Sequence, residues 1–371
     1  MIFAVIFRIR MPDTASPSLL PYLVATLLPV PLLLMAALAG GGWGWIALGW
    51  LTLGTALLDA VLPKAWDNPG TEADFSAAIG LQVALGVIHL WLVLIALRFV
   101  AGPGGAEGWA GVLPAALAYG IYFGQVSHPN AHELIHRPRR GLRRLGRMVY
   151  GTMLFGHHAS AHPKVHHVWV ASPYDPNTAL LGEGFWRYLR RAWRGSFVEG
   201  FRIERYDLKR AGRGGWRHPY IGYVTTAAIC LALAWGFGGA GGAAIFLGIG
   251  VVAQVQILLA DYVQHYGLER AELAPGRLEP VGPAHSWNAP HAASQAMMLN
   301  APRHSDHHLH PGRIYPGLQL DRAAMPILPR SLPVMATVAL VPAWWRRVMD
   351  PRVAAVRQAR GAQGTPDRDG F

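Results

Sequence analysis

Five residues, HELIH at 132–136, set two imidazoles one helical turn apart with a carboxylate between them. On a helix that spacing grips a metal ion, and the glutamate can then activate water, which is the chemistry of zinc peptidases. Any other imidazole-ligated metal would use the same five residues, so the remaining donors have to decide. HPKVHH adds His162, His166 and His167, DYVQHYG adds His265, and RHSDHH adds His304, His307 and His308. Spacings of three or four residues place the histidines of a cluster on one helix face. A catalytic zinc takes about three protein ligands and leaves a position open. Nine imidazoles exceed that need and suit two metals with four or five ligands each. Imidazole serves iron, zinc, copper and nickel alike, so the ligand type leaves the metal open.

Neutral imidazoles do not compensate the charge of a metal, so nearby carboxylates should balance it by hydrogen bonding from outside the ligand set. Glu133, Asp175, Asp261 and Asp306 stand in or beside the clusters and are the candidates. His128, His157 and His158 flank the clusters in supporting roles. His89 falls in an apolar run and reads as hydrogen-bonded packing, while His218, His285, His291 and His310 read as loop residues. The one cysteine, Cys230, excludes disulfides, iron–sulfur clusters and thiolate zinc sites within the chain. Electrons for any redox reaction would therefore come from a separate protein.

The elements that position these residues are membrane helices. The chain is 52% hydrophobic and only 15% charged, with a positive mean hydropathy, which is too apolar for an ordinary soluble domain. Runs long enough to cross hydrocarbon, about 20 residues each, lie near 19–39, 43–62, 77–100, 109–126, 220–238 and 243–259. The predicted fold is an all-α integral membrane protein with six transmembrane helices and a histidine-rich di-metal site at their cytoplasmic ends. Residues 1–350 read as one membrane-embedded catalytic domain, and 351–371 as a disordered tail. The start, MIFAVIFRIRMP, leads into an uncleaved first span, with Met1 or Met11 as the initiator. Met325–Trp345 is broken by four prolines and should lie at the interface or pack on the bundle.

Charge placement sets the orientation. The short turns GGGW, AGPGGAEG and GGAGG carry no Lys or Arg, whereas residues 129–218 hold 17 of them against 6 Asp and Glu. By the positive-inside rule the long loop, both termini and the histidines face the cytoplasm, as expected for a bacterial inner-membrane protein. The net charge of +12 thus reflects topology and not nucleic-acid binding. An apolar substrate would arrive from the lipid bilayer and be selected by shape. Trp50, Leu53 and Leu57 share a helical face that could line its channel, with Trp50 as a stop. Asp59, near the end of the same span, is either functional or a helix-end residue.

NAHELIHRP, HPKVHHVWVASPYDPNTALLGEGF, DYVQHYGLER and NAPRHSDHH, in that order, resemble the integral-membrane alkane 1-monooxygenases, relatives of xylene monooxygenase and of the membrane fatty-acid desaturases. The resemblance covers roughly residues 45–350. It implies a non-haem di-iron enzyme that inserts one oxygen atom of O2 into a terminal C–H bond, with the nine histidines as iron ligands. It also implies a rubredoxin-type electron carrier and its reductase as partners. The sequence departs from the family pattern at Ile135, where Gly is usual, and at Asp261 and Gln264, where Asn and Glu are usual. These changes leave the ligands intact but alter their hydrogen-bonding surroundings. The competing readings are a membrane acyl-lipid desaturase or hydroxylase, a membrane zinc metalloprotease with Glu133 as base, and a metal transporter.

Overall fold

Residues 18–69, 75–99 and 108–363 are described by the structure, a computed structural model. The predicted tail beyond 363, the start before 18 and most of the AGPGGAEG turn lie outside them. Three apolar helices come first, α1 (Leu20–Leu38), α2 (Trp43–Val61) and α3 (Ser76–Phe99). The rod α4 (108–135) continues through a π-helical turn at Phe123–Ser127 into the segment His128–Ile135. Then follow α5 (Arg140–Thr152), the histidine-bearing α6 (158–169) and the amphipathic α7 (Phe185–Arg210). The longest helix, α8 (Pro219–His265), leads into a hairpin of β1 (Glu272–Ala274) and β2 (Arg277–Leu278). Helices α9 (Ala292–Met297), α10 (His304–Leu309), α11 (Leu332–Ala339) and α12 (Pro342–Gln363) complete the chain.

Among the described residues, α1, α2, α3 and α8 are the helices long and apolar enough to cross a membrane. α8 is not one rod. Thr226 packs on Gly151 while Gly250 packs on Leu154, so positions 24 residues apart meet nearly the same place on α5 and its following turn. A straight helix would separate them by about 36 Å. The chain reverses at Gly239, whose φ of 59° and ψ of −154° suit glycine alone. The two arms, 219–238 and 240–265, coincide with the fifth and sixth predicted spans, and α4 with the fourth.

Small residues allow close helix approach where lipid offers no hydrophobic drive. A Cβ on Gly120 of α4 would stand 2.6 Å from that of Val252 on the second arm of α8, and Gly124 lies as tightly against Gln256. Two interior tyrosines are paired across helices: Tyr119 and Tyr122 of α4 donate to the Leu33 and Thr26 carbonyls of α1, both at 3.1 Å. The proline-broken stretch packs on the bundle, with Leu332, Met335, Val338 and Ala339 of α11 buried. The tail expectation needs correction over 351–363, which are helical: α12 runs through Pro351, buries Val353, and is tied by Arg357 to the Gly267 carbonyl.

Candidate metal centre

Four elements end at one place. The last turn of α4 carries His132, with His136 as its C-cap; α6 carries His162, His166 and His167; His265 is the last residue of α8; α10 carries His304, His307 and His308. Their donors fall into two groups. His132, His136, His162, His167 and His307 form one, and His166, His265, His304 and His308 the other, each with donor atoms within 4.8 Å of one another. Metal–imidazole bonds of about 2 Å put donors up to about 4 Å apart across a centre, so each group has the span of a ligand shell. The groups adjoin, with the His167 and His308 ring centres 4.5 Å apart.

The nitrogens that converge are the Nε2 atoms. His132 and His162 approach to 2.6 Å, His162 and His167 to 2.9 Å, and His167 and His307 to 3.1 Å. In the second group His265 and His304 lie 2.9 Å apart and His304 and His308 3.1 Å. His136 Nε2 and His166 Nε2 are buried without a hydrogen-bond partner. A neutral imidazole offers one N–H, so several Nε2 atoms facing one point cannot satisfy each other. For most of them charging is no remedy. Burial pulls His136 and His304 down to about 3, helped by Arg137 and by His166 respectively. Neutral imidazoles with bare nitrogens turned inward are what a transition metal requires, so the residues fit a metal in each group.

The carboxylates separate in role. Asp175 Oδ2 lies 2.8 Å from His166 Nδ1 and is the sole carboxylate among the described residues to touch one of the nine. Burial opposes charging of His166, but Asp175 overcomes it and raises the imidazole. Asp175 is held by Thr178 Oγ1 at 2.7 Å and by the Asn177 N–H at 3.0 Å. Asp261 acts at one remove, accepting from Asn177 Nδ2 at 2.7 Å. Glu133 and Asp306 touch none of these nine histidines, contrary to the expectation that they brace them. Glu133 Oε2 accepts from Gln82, Arg137 and the Tyr315 N–H at 3.0, 3.1 and 3.1 Å, tying α3, α4 and the chain after α10 together. Burial raises Glu133 to about 7 against the pull of Arg137. Asp306 is taken up by Arg313, His310 and the Gln319 N–H. Adjacent helix positions point about 100° apart, so a carboxylate next to a ligand in sequence faces elsewhere. Engagement by Gln82, Arg137 and the Tyr315 N–H removes Glu133 from the base position of a zinc peptidase.

Trp50, Leu53 and Leu57 also need correction as one channel face. Leu53 and Leu57 are 71% and 66% exposed and point away from the bundle, whereas Leu51, Thr55 and Asp59 are buried. Trp50 is half-buried. A π-helical turn at Trp50–Gly54 changes the residues per turn and thus which positions face inward. Asp59 accepts from the Ser294 N–H at 3.0 Å, joining α2 to α9. The enclosed cleft beside the histidines lies instead between α4, the second arm of α8 and the 298–304 segment. Its lining includes His132, His162 and His304, the polar Gln256, Asp261 and Gln264, and the apolar or small Gly124, Ala260, Met298, Ala301 and Leu332.

Two supports had no sequence signal. Arg303, buried, fans its guanidinium to Asn68, Gln295 and the carbonyls of Ala65, Asp67 and Leu318, fixing the residue before His304. Asn177 links Asp175 to Asp261, and only the partners reveal it.

The geometry agrees with comparisons to known proteins. Residues 107–339 match the fatty acid desaturase family model. The alkane 1-monooxygenase of Ectopseudomonas oleovorans is 33% identical over 308 residues, covering 80% of this chain and 75% of the relative. Alkane 1-monooxygenase 2 of Pseudomonas aeruginosa is 31% identical over 322 residues, 84% of this chain and 85% of the relative. The xylene/toluene monooxygenase hydroxylase component of Pseudomonas putida is 26% identical over 319 residues, 82% and 81% of the two chains. With its histidine groups at the end of an apolar helix bundle and this kinship over most of its length, the chain belongs to the alkane 1-monooxygenase family of fatty-acid-desaturase-like membrane oxidoreductases.

Proposed function

We propose that this protein is a di-iron, O2-dependent monooxygenase that hydroxylates the terminal carbon of alkanes or similar hydrocarbons. The sorting of nine imidazoles into adjoining groups of five and four carries the reading. His132, His136, His162, His167 and His307 would hold one iron, and His166, His265, His304 and His308 the other. When bound, the iron pair would supply the activation of dioxygen, one atom entering the C–H bond and the other leaving as water, with two external electrons and two protons taken up.

The chain's own residues set the conditions for that chemistry. Asp175 takes the Nδ1–H of His166 and so fixes the tautomer that leaves Nε2 bare. Ala260, Met298, Ala301 and Leu332 give the cleft an apolar wall. A hydrocarbon has no polar handle, so this wall must hold it by packing, bring its end to the histidines and exclude water. The electrons come from a rubredoxin-type carrier with its reductase. Six spans in an inner membrane, with termini and histidines on the cytoplasmic side, accord with the distribution of Lys and Arg.

Metal analysis of the purified protein, coupled to oxygen-dependent conversion of a panel of hydrocarbons and acyl lipids, tests the reading. Two irons per chain and a terminal alcohol are expected. One zinc per chain, or turnover that survives His307→Ala, would overturn it, and a new double bond in an acyl chain would replace it with a desaturase.

A further inference from the structure

Helix α7 has an exposed aromatic stripe that its packing does not explain. Trp186, Trp193, Phe197 and Phe201, at intervals of seven, four and four, are 49%, 45%, 37% and 40% exposed. Beside them stand Arg187, Arg190 and Arg194, which have no hydrogen-bond or ion-pair partner among the described residues. Two arginines further round the helix are paired, Arg191 with Glu183 and Arg202 with Glu199. Lys164 of α6 meets Glu204 and Asp207 in the same way. Unpaired positive charge on α7 thus borders the aromatics.

The level of this stripe follows from α8. Its first arm has about 20 residues and so rises about 30 Å from the Gly239 turn, the thickness of bilayer hydrocarbon. Tyr220 therefore marks the opposite hydrocarbon edge. The Phe197 and Phe201 rings pack on Tyr220 with centres 5.2 and 5.4 Å apart, and Trp193 Nε1 donates to Gln254 of the second arm at 2.9 Å. Aromatic side chains favour that level, and arginines there extend their guanidinium groups to the headgroup phosphates.

We propose that α7 lies in the membrane plane as an interfacial helix, and that Arg187, Arg190 and Arg194 bind the phosphates of anionic phospholipids. The inner face of the same helix supports the metal centre. Gly200 packs on Ala161 and Gly195 on Pro176, while Tyr188 Oη donates to the Asn177 carbonyl at 2.9 Å. Lipid bound on one side of α7 thus steadies, on the other, the segment that carries His162, His166, His167 and Asp175. This inference rests on membrane insertion and not on the oxidation chemistry, so each can fail without the other.

The full chain is reconstituted in nanodiscs of phosphatidylcholine, alone or mixed with phosphatidylglycerol. Native mass spectrometry should find phosphatidylglycerol retained in preference by the wild type, with that preference lost in R187Q/R190Q/R194Q. Phosphatidylglycerol should also raise the melting temperature of the wild type but not of the variant. In a Cys230→Ser background, a nitroxide on F201C should be relaxed by oxygen, and one on Y206C by a water-soluble nickel chelate. Equal lipid retention by wild type and variant, or equal nickel relaxation at both labels, would overturn the proposal. So would a variant that keeps its lipid preference yet loses affinity for an acidic redox protein, which would make the arginine row a protein-docking face.

Discussion

His166 and His167 are adjacent in the chain, yet their imidazoles belong to different donor groups: His166 joins His265, His304 and His308, and His167 joins His132, His136, His162 and His307. The π-helical turn His162–His166 produces this split. Its wider i→i+5 repeat superimposes His162 on His167, whose Nε2 atoms lie 2.9 Å apart, and turns His166 to the other side. A single segment therefore serves both groups. His166→Ala and His167→Ala should each lower the metal content toward one per chain and reduce turnover by more than about 100-fold. Metal analysis of the two purified variants is the check; full occupancy in either would contradict the assignment.

Asp175→Asn removes the carboxylate that orients His166. The expected cost is about 10–100-fold in metal affinity or turnover, read by chelator competition. Asp306→Asn is the control, because Asp306 holds Arg313 and His310 and touches none of the nine. It should lower the melting temperature while metal affinity stays close to wild type.

Glu133 distinguishes a structural latch from a water-activating base. Glu133→Gln keeps an acceptor oxygen for the Tyr315 N–H and Gln82, so metal content and hydroxylation should largely persist. Glu133→Ala leaves the buried Arg137 without its carboxylate partner, and Gln82 and the Tyr315 N–H without their acceptor, at a cost of about 3–5 kcal/mol. The contrast is measured as the yield of folded protein and its melting temperature in detergent. Peptide cleavage abolished by Glu133→Gln would reinstate the peptidase reading.

What was legible in the sequence follows from what the physics repeats. Donor atoms that gather at one point come from one residue type at helical spacing, so all nine histidines stood out, and hydrocarbon needs long apolar runs, so a helix occurs at each predicted span. Two groups of four or five were expected, but which histidine joins which was hidden because it depends on a π-helical turn that no residue type announces. A similar turn at Trp50–Gly54 accounts for the misread Leu53 and Leu57. Carboxylate roles depend on what the facing segments offer: Asp175 meets an imidazole, whereas Glu133, beside two histidines in sequence, meets an arginine and a backbone N–H. Arg303 looks like any loop arginine until its five acceptors are assembled around it.

The cleft makes substrate length the property most open to redesign. Leu332 and Ala301 both line it, as does His304. Leu332→Ala should open room for additional carbons and shift preference to longer chains, whereas Ala301→Leu should shift it to shorter ones. Each methylene that gains or loses contact in an apolar site changes discrimination by about tenfold or more. Truncating a buried leucine also costs about 2–5 kcal/mol of stability, so absolute rates would confound the comparison. Competing two alkanes of different length in one reaction removes that difficulty, because the product ratio does not depend on how much enzyme is folded. Opposite shifts in that ratio for the two variants are the expected result; unchanged ratios in both would place the substrate elsewhere.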